Sequence, residues 1–201
     1  MGNVITLKGT VPATSNLPKF SDLYPNLIPP NLIIADDSLR RTPTVDITDP
    51  SISGAWSEII GGFTVQSDGA YGDVDDVNIA VIDSGFADVK FQVEVSQASN
   101  LAGIAFRVQD SGNHLRYVVG NTTSVLQKVV GGVTTAISPG VALVGSAPHV
   151  LKVVAVGDTI KCYDNGVLAF DETVSDFNTE TSHGLWSNRI ANRLSDFILA
   201  E

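Results

Sequence analysis

One cysteine, one methionine and two tryptophans in 201 residues leave several chemistries without their reagents. Cys162 has no partner for an intrachain disulfide, and no multi-cysteine metal site can be assembled. Placed inside the apolar run IKCY, it reads as a small buried core thiol. Basic clusters are missing as well. Twelve Lys and Arg stand against 22 Asp and Glu, for a net charge of -10, and Arg40 with Arg41 is the one basic doublet. An anionic surface repels phosphates, so neither nucleic acid nor anionic membrane is an expected partner. No run of about 18 apolar residues occurs. The opening MGNVITLKGTVPATS lacks a basic segment followed by an apolar stretch, so no secretory leader is expected. Three histidines, His114, His149 and His183, show no metal-ligand spacing. Nucleotide-binding, nucleophile-elbow and redox motifs are absent from contexts that could support them.

What remains is globular in composition, at 43% hydrophobic and 17% charged. The length suits one all-β domain of roughly 150 to 200 residues with an appendage. The appendage is legible: five of the nine prolines fall between Pro12 and Pro30, interleaved with Leu17, Phe20, Leu23, Tyr24, Leu27 and Ile28. Proline blocks helix interiors and ladder donors, so residues 1–33 are expected to form an extended arm. A bulky apolar residue every three or four positions sets it apart from a flexible linker. Such an arm is expected to dock on a protein surface, either its own domain or a second chain.

From residue 34 onward, turn signals recur: SDG at 67–69, DSG at 83–85 and 110–112, GG at 131–132, SPG at 138–140 and DNG at 164–166. Runs rich in Val, Ile, Phe and Tyr lie between them, without a helical apolar period. Short strands separated by turns predict an all-β, antiparallel sandwich. Val89, Phe91, Val93 and Val95 alternate with polar residues, as do Leu115, Tyr117 and Val119. The same reading puts Ile104, Phe106 and Val108 inward and turns Arg107 and Arg116 outward. Asp164-Asn165-Gly166 is expected to close a hairpin, because Asn-Gly accepts the positive φ of a type I′ turn.

Several segments resemble the concanavalin A-like, laminin-G-like jelly rolls of bacterial and phage proteins. ADDSLRR at 35–41, GAWSEIIGGFTVQSDG at 54–69 and LAGIAFRVQDSGNHLRYVVG at 101–120 are similar to motifs of that family. So are VLQKVVGGVTT, LKVVAVGDTIKCYDNGVLAF and the ending GLWSNRIANRLSDFIL. The resemblance spans residues 34–201 and implies a two-sheet antiparallel jelly-roll sandwich behind the arm. It also implies a choice among glycan binding, adhesion, architecture and glycoside hydrolysis, since fold does not fix function.

Hydrolysis needs two carboxylates facing one cleft. Asp171 and Glu172 are adjacent and so point to opposite strand faces, and Glu94 has no acidic residue at i+2 or i+4. No enzymatic activity is therefore expected. For ligand binding, the candidates are Arg107, His114, Arg116 and Tyr117, while Trp56 and Trp186 are assigned to the core. Asp68, Asp73, Asp75 and Asp76 fall within nine residues. Hard oxygen ligands make calcium the one candidate ion, although their spacing does not match an EF-hand loop. No other cofactor is expected.

The acidic, disulfide-free domain, the apolar arm and the resemblance together lead to a virion structural protein. In this reading a capsid-decoration or tail protein, made in the host cytoplasm and shown on the phage particle surface, is docked to other virion proteins by its arm and forms homo-oligomers. The alternative is a glycan-binding, host-adhesion module that reads cell-surface saccharide.

Overall fold

The computed structural model describes residues 33–49 and 55–201. Ile33 apart, the expected arm lies outside the described residues, and so do Leu17, Phe20, Leu23, Tyr24, Leu27 and Ile28. Every regular element among the described residues is a strand. In chain order they are β1 (Ile33–Asp37), β2 (Val45–Asp46), β3 (Trp56–Ile60), β4 (Phe63–Gln66), β5 (Gly69–Gly72) and β6 (Asn78–Asp83). Then come β7 (Val89–Gln97), β8 (Ala102–Asp110), β9 (Asn113–Val119), β10 (Thr123–Val130), β11 (Val133–Ala136) and β12 (Val141–Ala142). The last five are β13 (His149–Val156), β14 (Thr159–Asp164), β15 (Val167–Thr173), β16 (Ser182–Ser187) and β17 (Arg193–Ala200).

They form two antiparallel sheets. Sheet I runs β15-β14-β13-β7-β17-β5-β4-β2, with β1 also paired to β17. Sheet II runs β11-β10-β9-β8-β16-β6-β3, with β12 also paired to β10. The chain crosses from one sheet to the other repeatedly, which gives the expected jelly-roll sandwich. Turn chemistry closes the hairpins where the sequence places it. Val156 pairs with Thr159 around Gly157-Asp158, and Asp164 pairs with Val167 around Asn165-Gly166. Asn165 and Gly166 take φ values of 48° and 79°, the left-handed pair that a type I′ turn needs.

The core lies between the sheets. Val89, Phe91, Val93 and Val95 face Leu151, Val153 and Ala155 along the β7–β13 ladder, all buried. Phe197 joins Trp56 at 4.7 Å and Phe91 at 4.9 Å between ring centroids. Cys162 is fully buried, and burial pushes its thiol well above the ordinary range, as suits a core residue. Each large apolar side chain withdrawn from water contributes about 1.5–3 kcal/mol, which offsets the missing disulfides.

Sheet II departs from simple alternation in two ways. First, β8 carries a bulge: Arg107 has a φ of 49° and the β8–β9 register shifts between Phe106 and Asp110. The bulge turns Arg107 into the interior, correcting the expectation that it faces outward. It also sends Val108 to the opposite face. Second, that outer face is apolar. Ile79, Val81, Ala105, Val108, Val118 and Trp186 form a second buried cluster, separate from the main core. Trp186 is thus buried, as expected, but on the outer side of its sheet. Beside it, a Cβ on Gly184 would stand 1.8 Å from the Ala80 carbonyl oxygen, so β16 and β6 approach more closely than any side chain permits.

Candidate functional site

Alternation along β9 sends Leu115, Tyr117 and Val119 into the core and His114, Arg116 and Val118 to the outer face of sheet II. Register aligns the neighbours: Gln127 of β10 and Ala105 of β8 flank Arg116, and Val129 flanks His114. Trp186 of β16 lies between Ile79 and Gly103 one row away. The Arg116 guanidinium spans the rows, with Cζ 4.3 Å from the Trp186 ring centroid. Its Nε donates to Gln127 Oε1 at 2.8 Å, and an Nη donates to Thr134 Oγ1 at 3.2 Å.

The electrostatics of this face are unbalanced. The other five arginines, Arg40, Arg41, Arg107, Arg189 and Arg193, each pair with a carboxylate. Arg116, 8% exposed, has no carboxylate partner among the described residues. Desolvation alone pulls its pKa down to about 10. The same burial, followed by the charge of Arg116, pulls His114 down to about 4. The Asp110 carbonyl and carboxylate favour a protonated His114 ring, yet neither ring nitrogen meets hydrogen-bond geometry. Trp186 Nε1 is also buried without a hydrogen-bond partner. Buried polar groups are nearly always satisfied, and three of the exceptions among the described residues, both ring nitrogens of His114 and Trp186 Nε1, lie on this face, while Arg107, Tyr117, Ser124 and Ser138 carry the others.

Two of the four expected ligand residues, His114 and Arg116, therefore meet on this face. The other two do not. Arg107 is fully buried and binds the scaffold: it donates to the Ala87 carbonyl at 3.3 Å and the Gly157 carbonyl at 2.7 Å, and it pairs with Asp88 at 3.4 Å. Its backbone N–H donates to His183 Nδ1, and His183 Nε2 donates to the Phe86 carbonyl at 2.9 Å. Tyr117 faces the core against Phe170, 5.9 Å away, and burial pushes its phenol well up. Its hydroxyl sits beside that of Ser124 without hydrogen-bond geometry to it.

The four aspartates expected to hold calcium are dispersed. Asp68 accepts from Tyr71 and Arg193, Asp75 pairs with Arg189, and Asp76 accepts the Val77 N–H. The reason is Asn78, whose buried amide organises the loop. It donates to the carbonyls of Val74 and Asp76 and accepts from the N–H groups of Gly62 and Val74. Asp73 instead joins Asp46 and Glu58, one carboxylate oxygen of each lying within 4.8 Å of the others. Partial burial, then the two neighbouring carboxylates, raises Glu58.

Depressions lie elsewhere. At one end of the sandwich a cavity of about 460 Å³ is lined by Asn121, Thr122, Ser146 and His149 among others. Asp164, at the start of the DNG turn, holds His149 Nδ1 at 3.0 Å and accepts the Val144 N–H at 2.7 Å. The Asn165 amide accepts from Val150 and donates to the Val144 carbonyl. On sheet I, a groove of about 600 Å³ is lined by Gln92, Lys152, Tyr163 and Asn165 with Val150 and Gly166.

No family model and no curated protein matches the chain. Solved structures do. The carbohydrate-binding module CBM66 from Bacillus subtilis aligns with a TM-score of 0.54 at 17% identity, covering 73% of this chain and 91% of that one. A protein of unknown function from Shewanella oneidensis MR-1 aligns at 0.53 with 11% identity, covering 85% of each chain. The Crh5 transglycosylase in its apo form aligns at 0.52 with 14% identity, covering 83% of this chain and 87% of its own. Identities this low speak to architecture. The chain has the all-β fold expected of it, two antiparallel sheets in a jelly-roll sandwich.

Proposed function

We propose that the chain is a carbohydrate-binding β-sandwich that reads saccharide on the outer face of sheet II. The observation that carries this reading is Arg116, a buried, unpaired cation lying on Trp186 and braced by Gln127 and Thr134. Saccharides supply hydroxyl donors and acceptors together with apolar C–H faces. The half-buried Gln127 and exposed Thr134 open the row of Arg116 toward solvent, and the apolar floor of Val118, Ala105 and Trp186 lies behind it. The fold shared with CBM66 supports the reading. Of the carboxylates weighed for hydrolysis, Asp171 pairs with Lys161 and Glu94 with Arg40. The test is a glycan array with the full chain. The expected result is saturable binding that is lost in Arg116→Met and kept in Tyr163→Ala on sheet I. A chain that binds no saccharide on the array sinks the reading.

The virion setting rests on the composition of residues 1–33 and on the resemblance. It fits the same binding face, as an adhesive domain carried on a particle. Removing residues 1–33 is expected to leave a folded domain that no longer incorporates into particles, and unchanged incorporation would end that idea.

A further inference from the structure

We infer that the saccharide recognised on sheet II carries a carboxylate, and that this group pairs with the Arg116 guanidinium beside the Trp186 indole N–H. The inference rests on the glycan-binding reading and narrows it to acidic sugars such as uronates. Three observations lead to it. Among the described residues, Arg116 is the one arginine without an anionic partner, in a chain whose net charge is -10. A buried charge is retained at a cost unless a counter-charge and hydrogen bonds satisfy it. Its two described hydrogen bonds go to neutral oxygens, on Gln127 and Thr134, which orient the fork without neutralising it. Trp186, whose ring centroid lies 4.3 Å from the Arg116 Cζ, carries a buried Nε1 donor without a hydrogen-bond partner.

A planar guanidinium matches a carboxylate bidentately, with two parallel N–H···O bonds. Neutral hydroxyls leave the charge uncompensated, so a neutral sugar gains less at this position. The net charge of -10 works against a free anion at long range, but it acts over the Debye length of about 8 Å, whereas the pairing is made at contact on a desolvated floor. Affinity for a single uronate is therefore expected to hold or rise slightly as salt screens the repulsion. Adventitious polyanion binding has the opposite trend.

The experiment uses the full chain labelled with ¹⁵N, in which Trp56 and Trp186 supply the only two indole N–H signals. Sodium galacturonate, galactose and a sulfated galactose are titrated separately, and a polyuronate is compared with its carboxyl-reduced, neutral form by calorimetry. The expected result is a saturable shift of the Trp186 signal with galacturonate and a loss of polyuronate affinity of at least about tenfold on carboxyl reduction. Arg116→Lys, which keeps the charge but loses the fork, is expected to lose about tenfold. Arg116→Met is expected to lose all detectable binding, with an unchanged amide spectrum certifying its fold. Equal binding of the neutral and acidic forms overturns the inference and leaves the glycan reading standing. Binding that follows sulfation rather than the carboxylate overturns it too. If galacturonate leaves Trp186 unmoved while the array shows saccharide binding, the acidic subsite is wrong. If nothing binds in either assay, both readings fall.

Discussion

The outer faces of the two sheets solve opposite problems. On sheet I the charges are paired in the open. Arg40 reaches Asp196 at 3.0 Å and Glu94 at 3.5 Å, and Lys161 meets Asp171 at 3.1 Å, with every partner partly exposed. Such pairs contribute about 0–1 kcal/mol each, because water already solvates both members. On sheet II the face is largely apolar and buried, and its one arginine has no counter-charge among the described residues. A solvated face tolerates exchange of its residues, whereas a closed one holds a charge only where something other than folding selects for it. The contrast separates decoration from commitment.

The largest effect should come from Trp186→Ala, which empties the centre of the sheet II outer cluster. A loss of about 3–5 kcal/mol is expected by urea unfolding, against less than about 1 kcal/mol for Tyr163→Ala on sheet I. Equal losses would erase the distinction between the faces. Next comes acid. Burial holds His183 at about 4, below its unfolded value of 6.5. As pH falls from 6.5 toward 4, the unfolded chain takes up a proton that the folded chain refuses. Stability that is fully present above pH 6.5 should therefore fall by about 3 kcal/mol over that window. Urea midpoints at pH 7, 5 and 4 measure it, and His183→Gln should flatten the slope. His114, held at about 4 on sheet II, should add to the same window.

The two strand arginines give a sharper test. Arg107→Met strands the Ala87 and Gly157 carbonyls and Asp88, at an expected cost of about 2–3 kcal/mol. Arg116→Met removes an unpaired buried charge and should leave stability unchanged or raise it by about 1 kcal/mol while abolishing saccharide binding. Should Arg116→Met destabilise as much as Arg107→Met, the unpaired arginine is structural after all. Smallest of all, Lys161→Ala on sheet I should shift stability by no more than about 0.5 kcal/mol.

The inward faces of β7, β9, β13 and β14 follow directly from period-two alternation, and the hairpins from their glycine-bearing turns. Those signals are local, so they survive without knowledge of the partners. Arg107 was out of reach because nothing in AFRVQ announces a residue at positive φ, and a single bulge reverses every side chain beyond it. Asn78 and the Asp164–His149 pair depend on neighbours 15 or 16 residues away, which alternation cannot supply. The apolar outer face of sheet II did leave a trace. NIAVI in β6 is apolar in both phases, the pattern of a strand buried on two sides, a signal that the alternation of its neighbours left unread.

The side chains of Asp164 and Asn165 fasten residues 144, 149 and 150 to a two-residue turn. The end loop and the hairpin are therefore one mechanical unit. Anyone diversifying the rim for new specificities would have to transplant both together, because a loop library grafted without its matching turn would lose the anchors that give it a shape.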